Sequence, residues 1–466
     1  MTKETKTIGY LPDENPSFGK LLLFALQQIL VMFPATVLVA LITGFHVSTT
    51  IFASGLATVC FILITKKQIP LYYGSSFSYI TAITSITLSE SWVEELVAPN
   101  HLIQQAQFGI VLSGLVSIGV GLLVRRFSME KIEKVLPPQV TGPIAIIIGL
   151  SLAGTALTDA INLSQIPGIT EENQALAQNL GWVIALVTLL ATIMFSVYVK
   201  RKTWGQIPIL LGLLVGYVLS LIIGWFTDIK FVHFALLKDD FNLWQLPHFT
   251  LPKVSWQAAL AIMPIAIATI PESTAHLFQL DIYVKKLAVE KQTKKEYKLS
   301  DKLGINLIGD GIGDMVSGMI GGPAGTNYGE NISTMAITKN YSVMVLLAAG
   351  VITMIISLFT PLSAVVYSLP KAVISGISIY LFGIIASQGV TIMFEKKVNL
   401  FEPRNLAIIS VIFIVGLGGS YGFANGLIPI FGINAPSIAT AAILGILINL
   451  LFLFGDFLFK PGKTAE

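Results

Sequence analysis

Long apolar runs alternate with short polar or basic stretches along the whole chain. A membrane-crossing helix needs about 20 apolar residues. On that measure spans are expected near 19–43, 47–65, 75–89, 105–125, 138–157, 180–199, 205–226, 256–279, 303–320, 329–338, 342–361, 371–393, 404–424 and 436–458. Runs 75–89 and 329–338 are too short to cross as complete helices. Gly321-Gly322-Pro323-Ala324-Gly325 precedes the second of them. That segment cannot continue a regular helix, because glycine is too permissive and proline lacks an amide donor. Broken backbone at bilayer depth persists only where protein or a water-filled cavity satisfies its polar groups. A broken span followed by a short helix therefore predicts a solute site.

Composition agrees with a polytopic membrane protein. The 466 residues are 54% hydrophobic and 12% charged, with mean hydropathy +0.78; soluble domains carry roughly 25% charged residues. The net charge of +3 is no nucleic-acid signature. The single cysteine, Cys60, excludes an internal disulfide. Residues 1–18 are polar and lack the apolar core of a cleaved signal peptide. With this end inside, every Lys and Arg except Lys230, Lys238, Lys253 and Lys371 falls on the cytoplasmic side. The opposite side collects Glu90, Glu94, Glu95, Asp159, Glu171, Glu172, Asp228, Asp239 and Asp240. The positive-inside rule thus predicts an even number of spans with both termini cytoplasmic.

Polar residues inside spans carry the candidate chemistry, since an ionisable group at bilayer depth is expensive and by default functional. The tenth run contains Thr326-Asn327-Tyr328-Gly329-Glu330-Asn331. The eighth contains Glu272 and His276, four residues apart and so on one helix face. The other histidines, His46, His101, His233 and His248, fall in outer loops or at span ends. Glu272 with His276 suits proton coupling, or a satisfied buried pair; two ligands without further His or Cys make a metal site improbable. In the ninth run Asp310 and Asp314 lie one turn apart, one of them expected to support the site and the other near an end. Tyr73-Gly74-Ser75-Ser76-Phe77-Ser78 matches Tyr328-Gly329-Glu330-Asn331-Ile332-Ser333 at Tyr, Gly and the last Ser, a little more than half the chain apart. Paired interrupted segments in corresponding halves point to a transporter's midplane site. Seven spans per half would make the repeats inverted. The two helix starts would present backbone amides from Gly74 to Phe77 and at Gly329 to a ligand's acceptor atoms. Glu272 and Glu330 would stand between them, with Phe77 and Tyr328 against a flat polar ligand.

With these motifs the chain resembles the nucleobase/ascorbate transporter family, in its bacterial uracil and xanthine permease branch. The resemblance rests on Gln27-Gln28, Met32 to Val39, Tyr73 to Phe77, Pro137 to Pro143, Glu272 with His276, Gly321-Gly322-Pro323, Asn327 to Ile332 and Met335 to Thr338. It implies an all-α polytopic fold of 14 segments in two inverted seven-span repeats, with short extended stretches in spans 3 and 10. Core parts would cover 19–135 and 251–362, gate parts 136–250 and 363–460, and tails 1–18 and 461–466. It implies substrate contacts from Glu272, Glu330, Phe77, Gly329, Tyr328 and Ser76, the glycine and Phe77 through backbone amides. Proton coupling would use Glu272, His276 and Asp310, with His276 hydrogen-bonded to Glu272 and the proton as coupling ion rather than any cofactor. A homodimer in the lipid bilayer of the cell membrane, and no nucleic-acid partner, are also implied. Two departures are Gln28, where uracil permeases often have His, and Phe382, where a tyrosine is common. The resulting expectation is a proton-coupled uracil importer, not an enzyme. The alternatives are a xanthine or purine symporter, and an anion transporter of related architecture.

Overall fold

The computed structural model describes residues 9–90, 96–126, 134–199, 207–234, 242–430 and 433–459. Tail residues 1–8 and 461–466, and charged positions such as Glu94, Glu95, Lys131, Lys200, Arg201, Lys202, Lys238, Asp239 and Asp240, lie outside them. Helices dominate. In the first half they are α1 (Phe18–Thr43), α2 (Val47–Ile64), α3 (Ile80–Thr87), α4 (Asn100–Arg126), α5 (Pro138–Ser151), α6 (Ala153–Thr158), α7 (Glu171–Tyr198) and α8 (Pro208–Phe226). The second half holds α9 (Trp256–Ile262), α10 (Ile265–Glu290), α11 (Leu303–Ile320), α12 (Gly329–Thr338), α13 (Val343–Ser357), α14 (Thr360–Tyr367), α15 (Lys371–Glu395), α16 (Pro403–Gly422) and α17 (Ser437–Phe459). Among the described residues ten helices are long and apolar enough to cross a membrane, α9 and α10 counting as one. The protein is a multi-pass, mostly helical membrane protein.

Among the described residues four strands interrupt the helices. β1 (Tyr73–Ser75) and β2 (Gly325–Asn327) pair antiparallel, with Tyr73 opposite Asn327 and Ser75 opposite Gly325. The interrupted spans thus satisfy each other's backbone where no helix can. β3 (Leu427–Ile430) and β4 (Ile433–Pro436) form a hairpin between α16 and α17. That hairpin fills the stretch between the expected spans 404–424 and 436–458, to which the sequence assigned no element. Three helices outrun the expected spans. α4 starts at Asn100 rather than 105, α7 at Glu171 rather than 180, and α10 runs to Glu290 rather than 279. The α7 extension is polar, whereas that of α10 is amphipathic and buries Leu280, Val284, Leu287 and Ala288. The eighth span is also broken after Ile262, before Pro264.

Small residues bring the helices close, as expected where burial of apolar surface does not drive association. α11 lies on α4 with Gly311 against Gly114; a Cβ on either would come within 2.4 Å of the other's carbonyl oxygen. α13 packs on α2, α15 on α5 and α7, α16 on α5 and α17, and α7 on α8.

A short N-terminal strap closes the lysine-rich end. The Tyr10 amide donates to the Lys339 carbonyl (2.8 Å) and the Tyr341 amide to the Tyr10 carbonyl (2.8 Å). Lys291 Nζ donates to the Gly9 carbonyl (2.9 Å) and to Glu14 (2.5 Å). Lys295 Nζ (2.7 Å) and the Tyr297 hydroxyl (2.5 Å) donate to Asp13, while Leu11 is fully buried. Burial pushes the Asp13 carboxyl up, but the hydrogen bonds from Lys295 and Tyr297 outweigh it and the net shift is downward. A lowered folded value stabilises above the ordinary carboxylate range, and that stabilisation is lost as pH falls through the folded value. Asp13→Asn is therefore expected to lower the melting temperature slightly at pH 7. The difference from wild type should vanish on acidifying below the usual aspartate range; a difference that persists there refutes the assignment.

Candidate functional site

The site is built where the two interrupted spans cross. Asp314, on α11, accepts on one oxygen from the Tyr73 hydroxyl (2.5 Å) and from the Gly325 amide (2.8 Å). One carboxylate oxygen thus ties both strands together. The Tyr328 hydroxyl donates to the Ser75 carbonyl (2.7 Å) and meets Thr36 Oγ1 at 3.2 Å. Its ring lies on Gly74, where a Cβ would come within 2.4 Å of it. Each strand therefore carries a tyrosine against the other strand's glycine, because Tyr73 packs on Gly325 in the same way. Beyond the crossing the chain turns into helix on both sides: into a 3-10 turn at Phe77–Tyr79 and α3, and into α12.

A cavity of about 660 Å³ opens beside this crossing. Phe77, Ser78, Glu272 and His276 line its deep end, and it runs between α5, α10 and α15 to the exposed Glu395 and Lys396. Ser78 Oγ reaches Glu272 Oε2 at 3.5 Å. Glu330 stands at the second residue of α12, near enough to act electrostatically on Glu272. Glu330 keeps exposed surface at the start of α12 but, like Tyr328 and Gly329, is not among the residues that line this cavity. Phe77 meets Phe382 of α15 edge-to-face, ring centroids 6.3 Å apart. The site thus touches both α10 and α15.

Behind Glu272 runs a buried polar chain. Asn306 Nδ2 donates to Ser273 Oγ (2.7 Å), Ser273 donates to Asp310, and Asn327 Nδ2 donates to Asp310 Oδ1 (2.6 Å). Asp310 therefore links the α10 turn carrying Glu272 to β2. Such chains hold their members in one geometry, because each unpaired buried member would cost about 1–3 kcal/mol.

Several expected contacts are placed differently. Glu272 and His276 do share a face of α10, but the expected hydrogen bond between them is not formed. His276 Nδ1 is buried without a partner, and the ring lies by the Asn327 backbone and the start of α12. The helix places the two one turn apart, and the ring turns toward the strand crossing. Ser76 does not line the cavity; its Oγ accepts from the Ser78 amide (3.3 Å) and caps the short turn, leaving Ser78 to face Glu272. Its amide is taken by the Ala324 carbonyl (3.0 Å), and Gly74 and Ser75 are paired in the strand, so few amides of that run are open. Asp314 is not near a helix end but under the crossing. Tyr328 and Gly329 sit at the crossing, Tyr328 almost wholly buried. Sequence reading missed Ser78, Ser273, Asn306 and the crossing role of Tyr73; hydroxyl and amide groups inside apolar runs were the available signal. Among the described residues no three His, Cys, Asp or Glu gather in a metal-binding group.

Gln28 has a partner of its own. Asn331 Nδ2 donates to its carbonyl (2.9 Å) and its Oε1 (2.8 Å), both residues fully buried. Asn331→Leu would leave Gln28 unpaired and is expected to cost about 1–3 kcal/mol. A lowered melting temperature, absent in Gln28→Leu/Asn331→Leu, would check it.

Residues 19–425 match the model of the family described as a permease family, Xan_ur_permease. The chain belongs to the xanthine/uracil permease family. A uracil permease of Bacillus caldolyticus is 35% identical over 445 residues, 94% of this chain and 93% of that protein. One from Bacillus subtilis (strain 168) is 33% identical, over 92% of this chain and 91% of that protein. Among solved structures, the transmembrane domain of the cyanobacterial bicarbonate transporter BicA aligns over 92% of this chain and 96% of that chain, with TM-score 0.54 at 14% identity. SLC26A9 aligns over 94% of this chain and 65% of that chain, with TM-score 0.63 at 13% identity. These likenesses show the fold of a membrane transporter. As a permease of the cell membrane the protein is a transporter and not an enzyme.

Proposed function

We propose that the protein imports a nucleobase, uracil first, by proton symport with alternating access. The observation that carries this reading is the pair Glu272 and Glu330, one from α10 and one from α12, set at a strand crossing inside a transporter fold. Two carboxylates accept from the N–H groups of a flat imide and disfavour an anion, while Phe77 offers a ring face. The uracil permeases among its relatives support the same substrate. Glu272, with His276 beside the crossing and Asp310 behind it, carries the coupling proton. Glu330, Tyr328, Phe77, Gly329 and Ser76 complete the substrate site, Ser76 by shaping the turn. Phe382 in place of tyrosine keeps xanthine as the second candidate.

The same reading arranges the chain as 14 segments in two inverted repeats. The ten long helices are joined by α11, α13 and the half-helices α3 and α12. Contacts between segments support it: exchanging each segment with its counterpart seven places on turns the α4–α11 pair into α13–α2. It turns α7–α8 into α16–α17, and α7–α15 into α16–α5. Residues 19–135 and 251–362 then form the core, and 136–250 and 363–460 the gate. With both termini cytoplasmic, a cavity reaching Lys396 makes this the inward-facing state. Cross-linking of purified protein would test the homodimer that the family resemblance adds.

The deciding experiment is uptake of radiolabelled uracil and xanthine into cells lacking their own permeases, with and without an uncoupler. Uracil uptake that the uncoupler abolishes supports the reading. Xanthine uptake alone replaces the substrate, uncoupler-insensitive uptake removes the proton, and transport of neither by protein at the membrane refutes the function.

A further inference from the structure

The cavity is longer than the site at its deep end, and its walls change character on the way out. α10 faces it with Glu272, His276 and Gln279, spaced at one helical face. α15 faces it from the other side with Ile385, Gln388 and Thr391. Gln279 lies seven residues beyond Glu272, roughly 10 Å along the axis at 1.5 Å per residue. Gln388 lies six residues beyond Phe382, whose ring meets Phe77, which is roughly 9 Å along α15. Both helices run toward the same end, the one where the cavity meets Glu395 and Lys396. Two carboxamides thus stand at one depth, on opposite walls, one turn or two outside the carboxylates.

Their chemistry differs from that of the deep site. Gln279 Nε2 donates to the Tyr283 hydroxyl (3.2 Å), which orients the amide and leaves its carbonyl oxygen and second N–H for the cavity. Gln388 is exposed to the cavity and has no hydrogen-bond partner among the described residues. A carboxamide offers one donor and one acceptor side by side, and so does each edge of a nucleobase that carries a carbonyl next to a ring N–H. Ile385 and Ile392, one turn either side of Gln388, and Ile282 on α10 supply apolar faces around it. Neither amide titrates, so base held there is held independently of the proton that the carboxylates carry.

We propose that Gln279 and Gln388 form a second, transit site for a planar lactam or imide base, between the carboxylate site and the lysine-rich mouth. This inference rests on the nucleobase reading above. One amide belongs to the helix of Glu272 and the other to the helix of Phe382, so movement of one helix against the other takes the transit site apart. The site exists in the state described here and empties as that state closes.

The test uses full-length protein in proteoliposomes with Cys60→Ala removing the native thiol. Thr391→Cys, which lines the cavity one turn from Gln388 and leaves both carboxamides in place, is then labelled with a maleimide from the side of the lysine-rich end, with and without millimolar uracil. The same measurement is made with Glu272→Gln added, which disables the deep site. Uracil is expected to slow labelling several-fold in both backgrounds, and not to slow labelling of Glu395→Cys at the mouth. Protection that disappears with Glu272→Gln belongs to the deep site and overturns the proposal, as does protection in neither background. Uptake separates this from the function itself: the cysteine-labelled protein that transports uracil but shows no protection sinks the transit site alone. The same protein neither transporting uracil nor protected by it sinks both. Gln279→Ala and Gln388→Ala are further expected to lower maximal uptake several-fold with the half-saturating concentration little changed, whereas unchanged maximal rates count against it.

Discussion

Glu272→Gln is expected to abolish concentrative uptake. The substitution keeps shape and removes both the charge and the proton-carrying oxygen. A charge-assisted hydrogen bond is worth about 1.5–3 kcal/mol, so binding alone should weaken on the order of 10- to 100-fold. On the proton-symport proposal the loss of coupling comes on top, because an amide cannot take up and release a proton. Glu330→Gln should weaken binding by a similar factor while leaving some coupled uptake at high substrate concentration. The reason is positional. Glu272 is linked through its neighbour Ser273 to Asp310 and Asn306, and touches Ser78. Glu330 stands at the open start of α12 with its own backbone as partner. Uptake curves for both variants, with and without an uncoupler, check the difference. Equal loss of coupling in both would show that the proton is shared between the carboxylates rather than carried by Glu272.

Gly325→Ala is expected to remove transport by a different route. An alanine Cβ there would lie 2.4 Å from the Gly74 carbonyl oxygen and 2.4 Å from the Tyr73 ring. The first is backbone and cannot step aside, and the second is held by its hydroxyl on Asp314. Overpacking of this kind costs about 1–3 kcal/mol. More important for function, it pushes β1 from β2, and these strands aim the starts of α3 and α12. A loss of more than about 10-fold in uptake is expected in protein that still reaches the membrane. Asp314→Ala should act in the same direction by leaving the Tyr73 hydroxyl and the Gly325 amide without their acceptor, each costing about 1–3 kcal/mol. Asp314→Asn keeps an acceptor oxygen and should retain more activity. Thermal melting with and without uracil separates the cases, since a displaced crossing lowers the shift that substrate produces. Full uptake by Gly325→Ala would show that the strands have slack that the 2.4 Å contacts deny.

The two carboxylates and the crossing also explain why the site needs both halves of the chain. Phe77 and Ser78 come from the first interrupted span, Glu330 from the second, and Glu272 from a helix between them in sequence. No local segment contains a usable site.

What the sequence by itself determined is the membrane class, the position of most spans and the residues that carry charge inside them. Those follow from burial in lipid, where the cost of a polar group is high enough that 20-residue apolar runs and the rare exceptions within them are both legible. Glu272, His276, Asp310 and Glu330 stand out for that reason, and the break at Gly321 to Gly325 from backbone chemistry alone. The tertiary structure decided everything that depends on which side chain finds which partner. The matched fragments at Tyr73 and Tyr328 did not reveal that the two strands pair with each other, because hydrogen bonding between segments leaves no period in either. The turn of the His276 ring away from Glu272, the exchange of Ser76 for Ser78 and the place of Asp314 under the crossing are choices among neighbours one turn or two residues apart. Sequence spacing permits all of them, and packing selects one. The β3–β4 hairpin falls between the two expected spans 404–424 and 436–458 and was not legible there, because strand pairing between short segments leaves no long apolar run to read.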